Sequence, residues 1–305
     1  MFVRPALAVL AAALPLVAQS PARPVDRQAR SFGAPGEPGY LGNLDLTVSY
    51  VPDSGIREGS VDLGEINTAQ TRLKYMGTFV SGGPVNWSMG VEVERFGFGL
   101  EKSSLLPTAV GSLSLPLGVN WRINERWTFL AEVSPGLYSD FEDINGSDFN
   151  APIIAGVSYA INDSLLLFLQ LSIDTRRDVP IVGGPGLRWQ INRQWVLSLL
   201  VPRPRIEFRP NQSWMFYGGA ELVGGAYQLS TTHGTDKGDA SFDDVNMTYR
   251  EIRAGLGAIW DIGHGFRVEA AGGWVFDRRF VVDERNRQWN GEGAVYGRLQ
   301  LGYRY

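Results

Sequence analysis

From Leu41 to the C-terminus, apolar and polar residues alternate with a period of two. In 113–121 one face is Leu113, Leu115, Leu117, Val119 and Trp121, and the other is Ser114, Pro116, Gly118 and Asn120. In 127–137 Trp127, Phe129, Ala131, Val133, Pro135 and Leu137 stand against Thr128, Leu130, Glu132, Ser134 and Gly136. Residues 85–93, 165–173, 214–226, 252–260 and 266–276 sort the same way. Their second faces carry Glu92, Gln170, Glu221, Arg253, Arg267 and Glu269, with Asp277 just beyond, while the apolar faces carry no charge. This period is that of β-strands presenting two chemically different faces.

Dividing the chain at turn signals predicts fourteen strands, near 41–51, 61–80, 84–99, 108–122, 126–138, 151–160, 165–174, 181–190, 195–201, 205–209, 213–229, 247–261, 266–281 and 290–305. The weak point is Val201-Pro-Arg-Pro-Arg205, which leaves short strands on both sides. Twelve or sixteen strands are the alternatives.

One phrase recurs at the turns: an aromatic, five mostly polar residues, and a second aromatic. It occurs as Trp121-Arg-Ile-Asn-Glu-Arg-Trp127, Trp189-Gln-Ile-Asn-Arg-Gln-Trp195, Phe208-Arg-Pro-Asn-Gln-Ser-Trp214 and Trp260-Asp-Ile-Gly-His-Gly-Phe266, with a weaker copy at Tyr159–Leu165. The central Asn or Gly suits a positive-φ turn position, and odd-numbered loops set the two aromatics opposite each other on one face. Hairpin staples of a soluble β protein would produce such a phrase, and so would the aromatic girdle of a membrane barrel.

The start of the chain bears on that choice. Met1 to Ala18 has one basic residue, Arg4, then a run of Ala, Leu and Val, then small residues. This is the layout of a secretory signal peptide, placed at 1–22, and at about fourteen apolar residues it is short for a spanning helix. Residues 23–40, rich in Pro, Arg and Gly, read as a flexible periplasmic leader, and 41–305 as the folded domain. The absence of cysteine excludes a disulfide framework and a lipoprotein anchor. A net charge of −4 without a basic cluster argues against nucleic acid. The 37 Gly and 17 Pro suit many turns rather than long helices.

A sandwich would bury its apolar faces against a second sheet. Here those faces are framed by aromatics at the turn ends, and the opposite faces mix Gly, Ser and paired charges. The aromatic-flanked turns are short, and the connections at 100–108, 139–150, 175–180, 230–246 and 282–290 are longer and more polar. The fold class is therefore all-β, a transmembrane antiparallel up-and-down β-barrel of about 14 strands. The girdle comprises Phe79, Trp87, Trp121, Trp127, Trp189, Trp195, Trp214, Trp260, Phe266, Tyr303 and Tyr305.

Leu299, Leu301, Tyr303 and terminal Tyr305 share one face of the last strand. This resembles the C-terminal targeting strand of bacterial outer-membrane barrel proteins. The resemblance, over 41–305, implies an outer-membrane location after signal-dependent export, contact with lipid and lipopolysaccharide, and handling by the barrel-assembly machinery. The Trp189–Arg209 region, with Pro202-Arg-Pro-Arg-Ile-Glu-Phe208, also looks like a bacterial family described only as a domain of unknown function.

Function is expected on the inward face. Arg205, Arg209, Arg253, Arg267 and Arg298 lie on late strands, and Asp45, Glu92, Glu94 and Glu132 on early ones. Opposed across a lumen, such walls would set up a transverse field, similar to the constriction of general porins, which implies passive passage of small solutes. The alternative is a structural or adhesive barrel without an open pore, its lumen filled by ion pairs, since Glu207, Glu221, Glu269, Glu292 and Asp277 lie among the arginines. The low wall at Pro202 and Pro204 allows a sideways opening that resembles fatty-acid channels, or a plain bulge. A third class is a rim hydrolase using His233, but no partner of defined spacing accompanies that residue. The acidic loops 140–148 and 236–244 lack the pattern of an EF-hand, so a solvated rim is expected, with no metal or cofactor.

Overall fold

The computed structural model describes residues 39–100 and 105–305. The expected signal peptide and most of the leader lie outside the described residues, and the barrel begins at Gly39.

All strands belong to one closed antiparallel sheet. They are β1 (Gly39–Glu58), β2 (Val61–Val80), β3 (Val85–Leu100), β4 (Ala109–Ser114 and Leu117–Arg122), β5 (Trp127–Val133 and Gly136–Ser139), β6 (Phe149–Asn150 and Ile153–Asn162) and β7 (Leu165–Ile173). There follow β8 (Ile181–Gln190), β9 (Trp195–Leu199), β10 (Arg205–Phe208), β11 (Trp214–Gln228), β12 (Asn246–Gly263), β13 (Phe266–Val282) and β14 (Arg287–Gly291 and Ala294–Arg304). Strand β14 closes the ring on β1, with Asn43 opposite Arg304 and Tyr50 opposite Gly297. The count is the fourteen expected, and the short β9 and β10 are separate strands. Strand β1 runs past 51 to Glu58 through two bulges, so its connection to β2 is the tight turn Gly59-Ser60 and not a longer loop. Likewise β14 starts at Arg287, which shortens the expected 282–290 loop.

The polarity is that of a membrane barrel. Outward residues such as Leu256 (73% exposed), Phe276, Leu299 and Met89 are uncovered by any second sheet. Inward residues on the same strands include Arg253, Glu269, Arg298 and Glu92. An apolar surface of this extent costs free energy in water and none in hydrocarbon.

At the turn rim Phe79, Trp87, Trp121, Trp127, Trp189, Trp195, Trp214, Trp260, Phe266 and Tyr305 are all exposed. Several of these rings meet one on a neighbouring strand: Trp127 on Tyr159 at 4.7 Å, Trp195 on Phe208 at 4.8 Å, Trp214 stacked on Trp260 at 5.6 Å, and Phe266 on Tyr303 at 4.6 Å.

Two details of the repeated phrase differ from expectation. The aromatics six apart are not opposite each other: Trp121 pairs with Phe129, and Trp189 with Leu197. The last ladder pair lies inside the phrase, shown by Ile123 N–H donating to Trp127 O at 2.9 Å, so each pair shares a face but is one register apart. Nor do the central asparagines take positive φ. Asn124 Oδ1 instead accepts from Arg126 N and Trp127 N, both at 2.9 Å, and Asn192 and Asn211 repeat this toward Trp195 and Trp214. The carboxamide oxygen builds an Asx turn, so the residue is chosen for its acceptor. Positive φ appears only in the Gly263-His264-Gly265 copy.

Toward the other rim the cylinder changes shape. Pro116, Pro135 and Pro152 lie at the same level on adjacent strands: Gly90 N donates to Pro116 O, Leu115 N to Pro135 O and Ser134 N to Pro152 O, each at 2.9 Å. Proline supplies no N–H, so β4, β5 and β6 all break there while their carbonyls keep the ladder joined. Beyond the break β5 leans across the barrel and meets β11, with Ser139 opposite Gln228 and Asp140 N donating to Gln228 O at 3.1 Å. The ring there runs through β1–β5 and β11–β14, leaving β6–β10 outside it.

Candidate functional site

The inward face has three levels. Toward the loop rim it is apolar. Phe96 and Phe98 on β3, Tyr249 on β12 and Phe280 on β13 touch edge-on or tilted at 4.9 to 5.0 Å, and Ile56, Ile66, Tyr227 and Trp289 complete a buried cluster. These residues lie at the inward parity that carries charge further down, so the outer half of the axis is packed shut within the β1–β5 and β11–β14 ring.

Beneath the cluster lies a network of ion pairs. Arg253 (1% exposed) holds Glu251 at 2.5 Å and reaches Ser49 Oγ at 3.1 Å. Ser49 donates to Gln70, which in turn donates to Glu94, each at 2.8 Å. Arg298 donates to Glu221 at 2.7 Å and contacts Glu269, which also accepts from Tyr217 at 2.6 Å. Arg203 holds the other oxygen of Glu221 at 2.5 Å. Arg278, also buried, is bound to Thr68, Ser54 and the Ile66 carbonyl. Partners at these distances offset the desolvation of burying each charge.

The third level is wetter. Arg72 (31% exposed) and Lys74 bracket Glu92 at 2.7 and 3.1 Å, and Glu132 (26% exposed) lies 3.9 Å from Lys74. Toward the turn rim Glu207 of β10 collects Arg205 at 2.9 Å, Arg209 at 2.8 Å and Arg188 at 3.6 Å. Arg267 stands beside Gly302 in the ladder, half-buried near the same rim.

The expected opposition of an acidic and a basic wall is not what forms. Arg205 and Arg209 are neutralised on their own strand, Arg298 by β11 and β13, and Glu92 by β2. Side chains two apart on a strand or directly across a ladder reach each other before they reach a far wall. The parity of the inward face, followed onto β2, would have found Arg72, Lys74 and Gln70. Glu251 follows from Arg253 in the same way.

The wall itself is incomplete on one side. Strands β9 and β10 have five and four residues, half of what crossing the hydrocarbon takes. Their hairpin pairs with β8 only from Leu187 to Gln190, so 181–185 have no ladder partner on that side among the described residues. On the other side Pro204 O and Pro202 O accept from Ala220 N and Leu222 N, and the contact ends there. A notch results, with Leu200–Pro204 as its floor and β8 and β11 as its posts. Arg177 reaches over it to Gly224 O at 3.1 Å. Gly224 has φ +116°, and a Cβ there would stand 2.0 Å from Tyr249 O, so the bend of β11 at the notch requires glycine.

His233 is buried: its Nε2 lies 2.9 Å from Leu105 O, and among the described residues its Nδ1 has no hydrogen-bond partner.

Among solved structures, the chain resembles a deltaS2 mutant of the TodX monoaromatic hydrocarbon channel at 11% identity, covering 88% of this chain and 91% of that one, with a TM-score of 0.48. It also resembles an outer membrane channel from Pseudomonas putida F1 at 9% identity, over 90% and 98% of the two chains, with a TM-score of 0.48. A third is the Ralstonia pickettii toluene transporter TbuX at 11% identity, over 88% and 90%, with a TM-score of 0.39. These are distant likenesses of barrel form and carry nothing about cargo. No curated protein matches. A family model described as a domain of unknown function (DUF6268) matches residues 45–289, most of the barrel, and the chain therefore belongs to that family.

Proposed function

We propose that this protein is a passive outer-membrane channel for small solutes, and that its route leaves the lumen sideways, through the notch above β9 and β10, instead of running along the axis. The observation that carries this reading is the contrast between the outer half of the axis, filled by Phe96, Phe98, Tyr249 and Phe280, and the wall, which stops at Leu200–Pro204. The contacts between the lumen and the notch are polar: Gln170 Nε2 donates to Val201 O at 3.3 Å, and Arg203 holds Glu221 at 2.5 Å. The exposed residues around it, Val179, Ile181, Leu199 and Val201, are apolar, which favours exchange with lipid and a solute that is itself at least partly apolar. On this reading Arg205, Arg209, Arg253, Arg267, Arg298, Glu92, Glu94 and Glu132 hold and line the lumen, and the aromatic girdle sits at the periplasmic interface.

The test is uptake of a small apolar fluorophore into vesicles carrying the refolded protein, beside a variant in which Leu200–Pro204 is replaced by a longer hairpin that pairs with 181–185 of β8. Uptake by the wild type that falls to the level of protein-free vesicles in the sealed variant is expected. Equal uptake by both overturns the sideways route. Absence of both uptake and single-channel current in the wild type favours the second reading, a structural barrel without a pore, which the buried Arg253 and Arg298 pairs support.

A further inference from the structure

Two loop-rim connections converge over the aromatic cluster. The β5–β6 connection supplies Asp140 and Glu142, and the β11–β12 connection supplies His233. One donor atom from each lies within 4.8 Å of the others, although the residues are up to 93 positions apart in sequence.

The histidine makes this more than a pair of acidic residues. Its side chain is 1% exposed, and its Nε2 is 2.9 Å from Leu105 O. A carbonyl oxygen only accepts, so Nε2 donates to it, and Nδ1 is the ring atom left for a ligand. Among the described residues Nδ1 has no hydrogen-bond partner, and what it faces is Asp140 Oδ2, 3.7 Å away. A buried ring nitrogen without a hydrogen bond, facing a carboxylate across this gap, leaves a place for a cation between them.

The surroundings are those of a ligand held ready. A metal-binding imidazole usually donates its other N–H to a carbonyl or carboxylate, which is the role Leu105 O fills. Asp140 is oriented by Ser230 N, donating to Oδ2 at 2.9 Å, and by Glu142 N, donating to Oδ1 at 3.2 Å. Glu142 is exposed, which leaves an ion a way in. One imidazole and two carboxylates suit a borderline ion such as zinc, whereas calcium and magnesium take oxygen ligands.

We propose that Asp140, Glu142 and His233 form a zinc-class metal site in the roof of the barrel. A bound ion would tie the β5–β6 connection to the β11–β12 connection, and through Leu105 to the segment preceding β4. Lys237 Nζ already holds that segment by donating to Leu106 O at 2.7 Å. The proposal is independent of the route of any solute.

The test uses the full-length protein refolded in detergent, stripped with a chelator, and titrated calorimetrically with zinc chloride. Wild type, Glu142→Gln and His233→Gln are compared. One equivalent of zinc is expected on the wild type, with affinity at least about tenfold weaker in each variant. X-ray absorption should show an imidazole ligand in the wild type that His233→Gln loses. Because Glu142 is at the surface, Glu142→Gln decides the matter even if His233→Gln fails to fold. Equal zinc binding by wild type and Glu142→Gln, or no binding by the wild type, overturns the site. Preference for calcium over zinc overturns the role of the imidazole.

Discussion

The two sides of this barrel solve the same problem in opposite ways. Strands β1–β3 and β11–β13 run 15 to 20 residues and turn an aromatic cluster and buried, hydrogen-bonded arginines inward. Between them, β4–β6 are broken by prolines at one level, and β9 and β10 shrink to five and four residues. The long side spends its inward positions on packing. The short side leaves Glu132 partly wet, facing Lys74 of β2, and its edge unfinished. Strand number sets the circumference of a barrel. What is open within it depends on which inward positions carry aromatics and on where the ladder stops.

The comparison breaks most sharply at Arg298. Arg298→Met leaves Glu221 and Glu269 buried without it, and a loss of about 3–5 kcal/mol is expected, read by urea unfolding in lipid vesicles. A cost below 1 kcal/mol would mean that ion pairs do not hold the filled side. On the short side Glu207→Gln also removes the centre of a cluster, but Arg188, Arg205 and Arg209 keep partial access to water. A loss of about 1–3 kcal/mol is expected by the same method, with any current shifted toward anions. A cost matching that of Arg298→Met would erase the distinction between the sides.

Smaller effects sharpen the picture at the rims. Asn192→Ala removes an acceptor for two turn N–H groups, and about 1 kcal/mol should be lost. Asn192→Gly, which favours positive φ, should not restore it if the acceptor is what matters. At the loop rim, the Ser241 side chain and backbone donate to Asp239 and hold its carboxyl below the usual aspartate range. A depressed folded-state pKa contributes stability above the unfolded value that is lost as pH falls through the folded one. Proteolysis of the β11–β12 connection should therefore increase below about pH 4, and less so in Asp239→Asn.

Much of this was legible in the chain. Alternation located every strand, including the doubtful β9 and β10, because Pro202 and Pro204 exclude a continuous ladder while the flanks keep their parity. The exposed aromatics of the turn rim were legible because they share one face of their strands and fall at turns. The Asx turns were not, since an asparagine at mid-turn fits both positive φ and side-chain acceptance, and only the bonds to Arg126, Trp127 and Trp195 separate them. A signal for the filled lumen was present in Phe96, Phe98, Tyr249 and Phe280, apolar residues at a parity otherwise charged. Its meaning depended on knowing that all four stand at one height.

The sequence by itself determined the local properties: two-faced strands, turns with aromatic flanks, and an inward face rich in charge, because each depends on residues a few positions apart. The tertiary structure decided how heights on different strands align. Register alone brings Pro116, Pro135 and Pro152 to one level so that the wall folds toward β11, pairs Arg298 with Glu221 and Glu269, and sets His233 beside Asp140. Those relations depend on the stagger with which the sheet closes, and no stretch of the chain encodes that stagger alone.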